Sequence, residues 1–385
     1  MKTGIDGIDR RRLLTAGAGM AAGLVLPARA LGVGLQASPE LFAAAAKDAR
    51  GRFVAVIFDA ATGREHGRVV LPSRGHDLVQ RPRHATGAPA EVVAFARRPG
   101  NYAVVFKARA GGEPLWMTSR ADRHFYGHGA FSPDGRLLFT TENDFEAGVG
   151  VIGVRDATDG YRQIGELPSG GIGPHDLAML SDGRTLVVAN GGIKTHPDTP
   201  RVELNLAEMQ PTLAYVDTMT GEVGEVHALA KDLHQLSIRH LTVAAGNRVL
   251  FGCQFRGPRW QTQAIIGWHE RGRDLALLTL PEDVQGAMRN YVASLDGDAA
   301  GTTVVVTAPR GGLAVVLDAG SGRYLGRYRL DKVFGVARAR RQGSFVLTSG
   351  EGVLARARAI KESNAVELQR HSLVRAWDNH LLALT

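Results

Sequence analysis

Short runs of apolar residues, separated by polar turns that contain glycine, recur along most of the chain. The clearest pair covers residues 176–180 (DLAML) and 185–189 (TLVVA), joined by Ser-Asp-Gly-Arg. An Asp-Gly pair between two such runs is typical of a β-hairpin, because glycine adopts a positive φ without steric cost. The segment GHGAFSPDGRLLFTTEND at 127–144 repeats the pattern. Strands therefore dominate the prediction.

A second kind of hairpin alternates with these. Residues 53–71, 213–229 and 313–330 each contain an apolar run ending in aspartate, a short turn with glycine and a second run. The aspartate side chain can bond the turn backbone, while glycine takes the left-handed position. One hairpin of each kind makes a four-stranded unit.

The residues that open these units set the repeat length. They are His76, His128, His175, His240, Asn290, Gly335 and His380, separated by 45 to 65 residues. Four strands in about 50 residues indicate a β-propeller, and seven openers indicate seven blades. A pair of β-sandwiches is the rival all-β fold, but it does not explain the regular repeat. We expect residues 381–385 to join the first blade and close the ring.

The N-terminus carries an export pattern. Three arginines at 10–12 precede an Ala/Gly-rich apolar segment at 14–26, and Ala-Arg-Ala follows at 28–30. This order is typical of a twin-arginine signal peptide with its cleavage site. We therefore predict a signal peptide at 1–30, a lead-in segment with one or two helical turns at 31–50, and a propeller at 51–385. The expected location is the periplasm, after passage through the twin-arginine export machinery, with no transmembrane segment in the mature protein.

Composition and charge narrow the classes of partner. The net charge is +8, but the basic residues are spread along the chain, so we expect no nucleic-acid partner. The Gly-Gly pairs at 170–171 and 191–192 lie in strand context without a following helix, so no nucleotide cofactor is expected. The sequence also lacks GxSxG, HExxH and CxxC motifs.

In a propeller the links between blades and the loops after the second strands lie on one face, around the axis. Five openers are histidines, and imidazole is a common ligand of iron, copper and zinc. We therefore predict a metal site, with iron or copper as the cofactor, formed by His76, His128, His175, His196, His240, His380 and Glu142. Asp77 and Asp176 follow two of the openers and are expected to orient those two rings. The alternative is that each histidine bonds only within its own blade.

Other polar residues on the same loops are candidates for binding a ligand. Guanidinium groups match carboxylate or phosphate, so Arg97, Arg98 and Arg310 are candidates for holding an anion. The further ligand-binding candidates are Asp144, Asn190, Asn290 and Glu351. The alternative for all of them is an ordinary solvated loop.

Several long strings resemble one family. GHGAFSPDGRLLFTTEND, GIGPHDLAMLSDGRTLVVANGGIKTHPD, LHQLSIRHL, APRGG and WDNH resemble domain-of-unknown-function family 1513, twin-arginine-exported bacterial proteins similar to WD/YVTN-type propellers. The resemblance implies a periplasmic seven-bladed propeller, and association with periplasmic iron-handling proteins, which makes iron the first metal. Asp176 stands where the family's motif has glutamate.

These observations lead to one functional hypothesis and three alternatives. We expect a binding protein, rather than an enzyme, that holds a metal or a metal-bearing ligand in an axial funnel and takes part in iron acquisition. The alternatives are a lactonase-like metal-dependent hydrolase, a redox enzyme with a histidine-bound metal, and a protein-interaction scaffold without a metal.

Overall fold

The described residues form seven antiparallel sheets arranged as the blades of a propeller. The structure is a computed structural model that describes residues 38–385 except 84–89, 109–111, 200–201, 359–364 and 371–373, with the backbone alone at 365–370. The predicted signal peptide at 1–30 lies outside the described residues. The seven-bladed, all-β prediction is confirmed.

The first four blades follow chain order. Blade one contains β1 (Leu41–Lys47), β2 (Phe53–Asp59) and β3 (Glu65–Val70). Blade two contains β4 (Gly75–Gln80), β5 (Glu91–Ala96), β6 (Tyr102–Lys107) and β7 (Leu115–Thr118). Blade three contains β8 (Arg123–Phe131), β9 (Leu137–Asp144), β10 (Val149–Asp156) and β11 (Arg162–Pro168). Blade four contains β12 (Pro174–Met179), β13 (Thr185–Asn190), β14 (Thr212–Asp217) and β15 (Val223–Ala228).

The remaining blades repeat this order. Blade five contains β16 (Leu236–Val243), β17 (Val249–Phe255), β18 (Ile266–His269) and β19 (Ala276–Leu277). Blade six contains β20 (Ser294–Gly297), β21 (Thr303–Ala308), β22 (Leu313–Asp318) and β23 (Tyr324–Arg329). Blade seven contains β24 (Val333–Arg338), β25 (Ser344–Ser349), β26 (Val353–Arg358) and β27 (Ala365–Arg370). The described helices are α1 (Glu282–Ala287) and 3-10 turns at Lys231–Leu233 and Ala245–Asn247.

Blade one is closed by the C-terminal part of the chain. The short strands β28 (Ala376–Trp377) and β29 (Leu382–Ala383) both pair with β1, as the innermost position of that blade. The expected closure of the ring is confirmed. It joins segments more than 300 residues apart in sequence and pairs the inner edge of β1.

The lead-in prediction is wrong for residues 41–47. This segment is not helical but forms β1, which pairs with β2 along its whole length. Both faces of the strand are buried: Phe42 packs toward blade seven, and Ala43 packs toward blade two. The small alanines suit this crowded position, because the Cβ of Ala45 lies 2.8 Å from the place where a Cβ on Gly75 would stand. Burial on two faces removes the polar alternation that identifies a strand in a sequence.

Apolar clusters fill every interface between neighbouring blades. Successive side chains of a strand point to opposite faces, so each blade contributes to a cluster on each side. Blades one and seven share the cluster that contains Phe58 and Trp377, whose ring centroids lie 4.8 Å apart. The other clusters join the blades in order around the ring.

The turns that contain an aspartate and a glycine form as predicted. The Asp217 carboxylate accepts hydrogen bonds from the backbone N–H groups of Met219 and Thr220, at 2.8 and 3.1 Å. Gly221 has φ of 75° and donates to the Asp217 carbonyl. No helix in the described part of the chain is long and apolar enough to cross a membrane.

Candidate functional site

Five histidines from five blades meet on the propeller axis. They are His76 of β4, His128 of β8, His175 of β12, His240 of β16 and His380 between β28 and β29. We call them the five-histidine cluster. All five are buried. The prediction that the histidine openers converge is confirmed.

An interruption of the innermost strand directs each ring toward the axis. In blade two the pairing passes from Gly75–Ala96 directly to Leu78–Ala94, so two residues of β4 lie opposite one of β5. Similar shifts occur in β8, β12 and β16, next to His128, His175 and His240. A β-bulge of this kind turns a side chain away from the regular alternation. His380 lies in the gap between two short strands instead.

His128 occupies the middle of the cluster. Its ring centroid lies 4.8 to 5.7 Å from the centroids of the other four rings. Those four surround it in the order His76, His175, His240, His380, with neighbouring centroids 4.7 to 5.5 Å apart. The Nε2 atoms of His128 and His76 are 3.3 Å apart. Two nitrogens bound to one tetrahedral ion at 2.0–2.1 Å would be separated by about 3.3 Å.

Two carboxylates lie beside the Nδ1 atom of His128. Its Nδ1 lies 3.1 Å from Asp77 Oδ2 and 3.3 Å from Asp176 Oδ1. Burial opposes the charge on the ring, but Asp176 and Asp77 outweigh burial and raise the pKa of His128 to about 10. The expectation that each aspartate orients the histidine beside it in sequence is wrong. Both side chains reach across to the neighbouring blade because the strands are bulged at these points.

The four surrounding rings are neutral. Burial, followed by the neighbouring histidines and arginines, lowers the pKa of His76, His175 and His240 well below the ordinary value. Burial also lowers the pKa of His380 to about 4. A neutral imidazole is the form that binds a metal.

Several nitrogens of these four rings lack a hydrogen-bond partner among the described residues. They are both ring nitrogens of His240, Nδ1 of His76, Nδ1 of His175 and Nε2 of His380. Buried polar atoms are normally paired, so these nitrogens are free to accept or donate to water, an ion or a ligand. The cluster offers two sets of three nitrogens within 4.8 Å of one another, and His128 belongs to both sets.

Two predicted metal ligands lie elsewhere. Glu142 is fully buried within blade three, where it accepts from Thr140 Oγ1 at 2.6 Å and lies 3.4 Å from Arg155 Nη2. His196 is partly exposed on the loop at 191–211, where its Nδ1 accepts from the backbone N–H of Asp198. Both assignments are therefore corrected. The Glu142 side chain lies in the buried interior of blade three, and His196 lies on the long loop, outside the cluster.

A cavity of about 220 Å³ lies directly against the cluster. Its lining contains His76 and His175, the polar residues Tyr126, Gln254, Tyr291 and Asn379, and the arginines Arg97, Arg98, Arg239 and Arg256. We call it the arginine chamber. Arg97, Arg98 and Arg256 also line a larger neighbouring cleft of about 770 Å³. The structure thus places Arg97 and Arg98 on one cavity, and that they hold an anion stays a prediction.

The other predicted ligand-binding residues are separate from the chamber. Asp144 forms an ion pair with Arg123 at 3.0 Å, and Glu351 forms one with Lys332 at 3.1 Å. Asn190 donates to the Ser169 carbonyl, and its own Oδ1 is unpartnered among the described residues. Asp144, Asn190 and Glu351 do not line the chamber, and their assignment as ligand-binding residues stays a prediction.

Asn290 and Arg310 line a different cleft, of about 690 Å³. The Asn290 side chain bonds the backbone of the loop after β17, through Gln261 and Gln263. Arg310 lies over the ring of Tyr291, 4.3 Å from its centroid. They share a surface with each other but not with Arg97 and Arg98.

Sequence reasoning missed Arg239. It precedes an opener histidine in a buried strand, and strict alternation would point it away from His240. The pairing passes from Ile238–Cys253 to His240–Gly252 and leaves Arg239 opposite no residue of β17. Arg239 and His240 therefore both reach the axial region. A charged residue inside an otherwise buried strand was the available signal.

The fold and the site define a seven-bladed β-propeller with a histidine cluster on its axis. The family described as "Protein of unknown function (DUF1513)" matches residues 69–384, and the chain belongs to that family. No curated protein matches the chain.

Two solved structures are similar in fold. One is Kuenenia stuttgartiensis hydrazine synthase, with 14% identity, a TM-score of 0.57, and coverage of 83% of this chain and 90% of that chain. The other is the β-propeller domain of Myceliophteria thermophila Cps50 (Swd1), with 13% identity, a TM-score of 0.56, and coverage of 81% and 93%. At this identity the likeness concerns the fold alone.

Proposed function

We propose that the protein is an exported, periplasmic propeller that binds an iron or copper ion in the five-histidine cluster and serves iron acquisition. The observation that carries the metal site is the group of buried, unpaired ring nitrogens around His128. Their rings come from four separate blades and His128 from a fifth, and several of the ring nitrogens lie within a few ångströms of one another. Imidazole nitrogen suits iron, copper, nickel and zinc.

The distances favour a site that contracts slightly when it binds. Nitrogens on opposite sides of one ion, each at about 2.1 Å, would be about 4.2 Å apart. The two sets of three nitrogens span up to 4.8 Å. A pair at that limit would close by about half an ångström if it lay on opposite sides of the ion, and by about 1.5 Å in a tetrahedral site. The 3.3 Å between the Nε2 atoms of His76 and His128 already fits.

Charge also favours a cation at this place. Asp77 and Asp176 bring two negative charges to the Nδ1 side of His128. A carboxylate beside a ligand histidine orients the ring and makes its other nitrogen a stronger metal ligand. When the proton on Nε2 is replaced by a divalent ion, that ion would balance both carboxylates.

The arrangement supports metal binding more than lactonase-like hydrolysis. A hydrolytic metal site of that kind would use a carboxylate ligand and an open water position. Glu142 was the predicted carboxylate, and it is bonded to Thr140 and Arg155 inside blade three. The resemblance to twin-arginine-exported, iron-associated proteins supports the periplasmic location and iron as the first metal. Periplasmic iron-handling proteins are the corresponding partners.

The test is metal content. The protein exported to the periplasm is measured by metal mass spectrometry, as purified and after reconstitution with iron, copper and zinc. A His128→Ala/His175→Ala double variant removes two ligands. His234→Gln is the matched control, since that ring contacts the Lys231 carbonyl outside the cluster.

We expect about one metal ion per chain in the parent and in His234→Gln, and its loss in a double variant that keeps its circular dichroism spectrum. Absence of bound metal after all three reconstitutions would refute the proposal. The same protein from wild-type cells and from cells lacking twin-arginine export, compared in periplasmic fractions, tests the location.

A further inference from the structure

The arginine chamber holds positive charge that the described residues do not balance. Arg98 and Arg239 have no carboxylate within ion-pair distance in the described part of the chain. Arg97 lies 3.8 Å from Asp378, but that carboxylate also binds Arg74. Each guanidinium is a permanent cation at neutral pH.

The unbalanced groups are also unpaired as hydrogen-bond donors. Arg239 is only 5% exposed, and its Nε and one terminal nitrogen have no acceptor among the described residues. One terminal nitrogen of Arg98 and one of Arg97 are in the same state. A buried, unpaired charge is strongly destabilising unless a counter-ion is bound.

We infer that the arginine chamber binds a small oxyanion, of the carboxylate or phosphate class, against the face of the five-histidine cluster formed by His76 and His175. Guanidinium presents its donors in a planar fork that matches two oxygens of such an anion. The inference goes beyond the proposed metal site and does not depend on it, because the arginines are unbalanced whether or not an ion is bound below them.

The size of the chamber limits the ligand. A volume of about 220 Å³ corresponds to roughly seven water molecules at about 30 Å³ each. Phosphate, sulfate, oxalate or a small tricarboxylate has this scale, and a large chelate would extend into the neighbouring cleft. Arg97, Arg98 and Arg256 line both spaces, so they stand at the junction through which the anion enters.

Calorimetric titration of chelator-treated, metal-free protein tests the inference. The probes are phosphate, sulfate, oxalate and citrate, each at low and at physiological salt. The variants are Arg98→Gln and Arg239→Gln, together with Arg239→Lys, which keeps the charge but loses the fork. Arg162→Gln is the control, because that arginine is exposed in blade three and pairs with Asp159.

We expect at least one probe to bind, and Arg98→Gln and Arg239→Gln each to weaken it at least about tenfold. Arg162→Gln should leave the affinity unchanged, and Arg239→Lys should give an intermediate value. Preference for phosphate over oxalate, or the reverse, identifies the class of anion. The bound probe should also raise Tm more in the parent than in Arg239→Gln.

Two results would overturn the inference. One is that none of the four anions binds the metal-free parent. The other is binding to the metal-free parent that persists undiminished in Arg98→Gln and Arg239→Gln, which would place the anion outside the chamber. Because the titration uses metal-free protein, failure of the proposed metal site leaves this result unaffected.

Discussion

A substitution at Gly127 tests whether the histidine cluster needs the space that a glycine leaves beside His76. This steric effect adds to the backbone strain of a positive φ. Gly127 lies immediately before His128 with φ of 107°. A Cβ at this position would stand 2.6 Å from Cδ2 of His76 and 3.1 Å from the Ala96 carbonyl oxygen. The substitution Gly127→Ala therefore forces the His76 ring away from His128, or shifts the strand that carries it.

The expected cost combines two effects. A non-glycine residue at this φ costs about 1–3 kcal/mol of strain, and the added contact costs about another 1–3 kcal/mol. We expect Gly127→Ala to lower the free energy of unfolding of the metal-free protein by about 2–6 kcal/mol. Movement of His76 should also weaken metal binding at least about tenfold, because the two Nε2 atoms no longer meet at 3.3 Å.

Gly160→Ala is the matched control. Gly160 also has a positive φ, of 59°, but a Cβ there meets no atom within 4 Å in the described part of the structure. Its cost should be about 1–2 kcal/mol, with unchanged metal affinity. Urea denaturation and competition with a chelator measure both quantities. If Gly127→Ala matches Gly160→Ala within about 0.5 kcal/mol and binds metal normally, the steric argument is refuted.

Three further predictions concern other parts of the molecule. In the metal-free protein, His128 has a pKa of about 10, against 6.5 when unfolded. The protonated ring therefore contributes at most about 5 kcal/mol to the free energy of unfolding. This contribution is complete below pH 6.5 and is lost as the pH rises through 10. A free energy of unfolding that stays constant between pH 6.5 and 10 would contradict the prediction. Trp377→Ala should cost about 3–5 kcal/mol by denaturation, since the ring packs on Phe58; a loss below 1 kcal/mol would show that closure does not depend on it. Glu142→Gln should cost about 3 kcal/mol because Arg155 loses its buried partner, yet leave metal content unchanged; lost metal in a folded variant would restore Glu142 as a ligand.

The repeat of hairpins was sufficient to predict the fold. Each Asp-Gly turn is a local signal, because the aspartate and glycine act on their own backbone, as at Asp217 and Gly221. The spacing of the seven openers then gave the number of blades, and the five histidines among them are the residues that meet on the axis. Residues 41–47 were not predicted as a strand because a strand buried on both faces has no polar alternation. Its alanines also favour a helix in isolation.

The polar partners on the axis could not be predicted in the same way. Which carboxylate meets which cation depends on strand register and on bulges, neither of which the repeat length determines. Glu142 meets Arg155 across the β9–β10 pair, and Asp77 reaches His128 rather than its neighbour His76. Adjacency in sequence was therefore a poor guide wherever a strand left its regular alternation.

The segment that closes blade one also supplies one histidine of the cluster, and it is synthesised after the strands of the other blades. His380 lies between β28 and β29, and these strands complete blade one by pairing with β1. On the ribosome, residues 376–383 emerge after the strands of all other blades. Until they dock, the axis holds four of the five imidazoles, and the first blade lacks its inner strand.

A nascent or cleaved chain that stops short of residue 376 would therefore lack ring closure and the fifth imidazole at once. The centre with all five rings exists only in a chain whose two distant segments have already met. The same eight residues therefore both close the ring and supply the fifth histidine of the cluster.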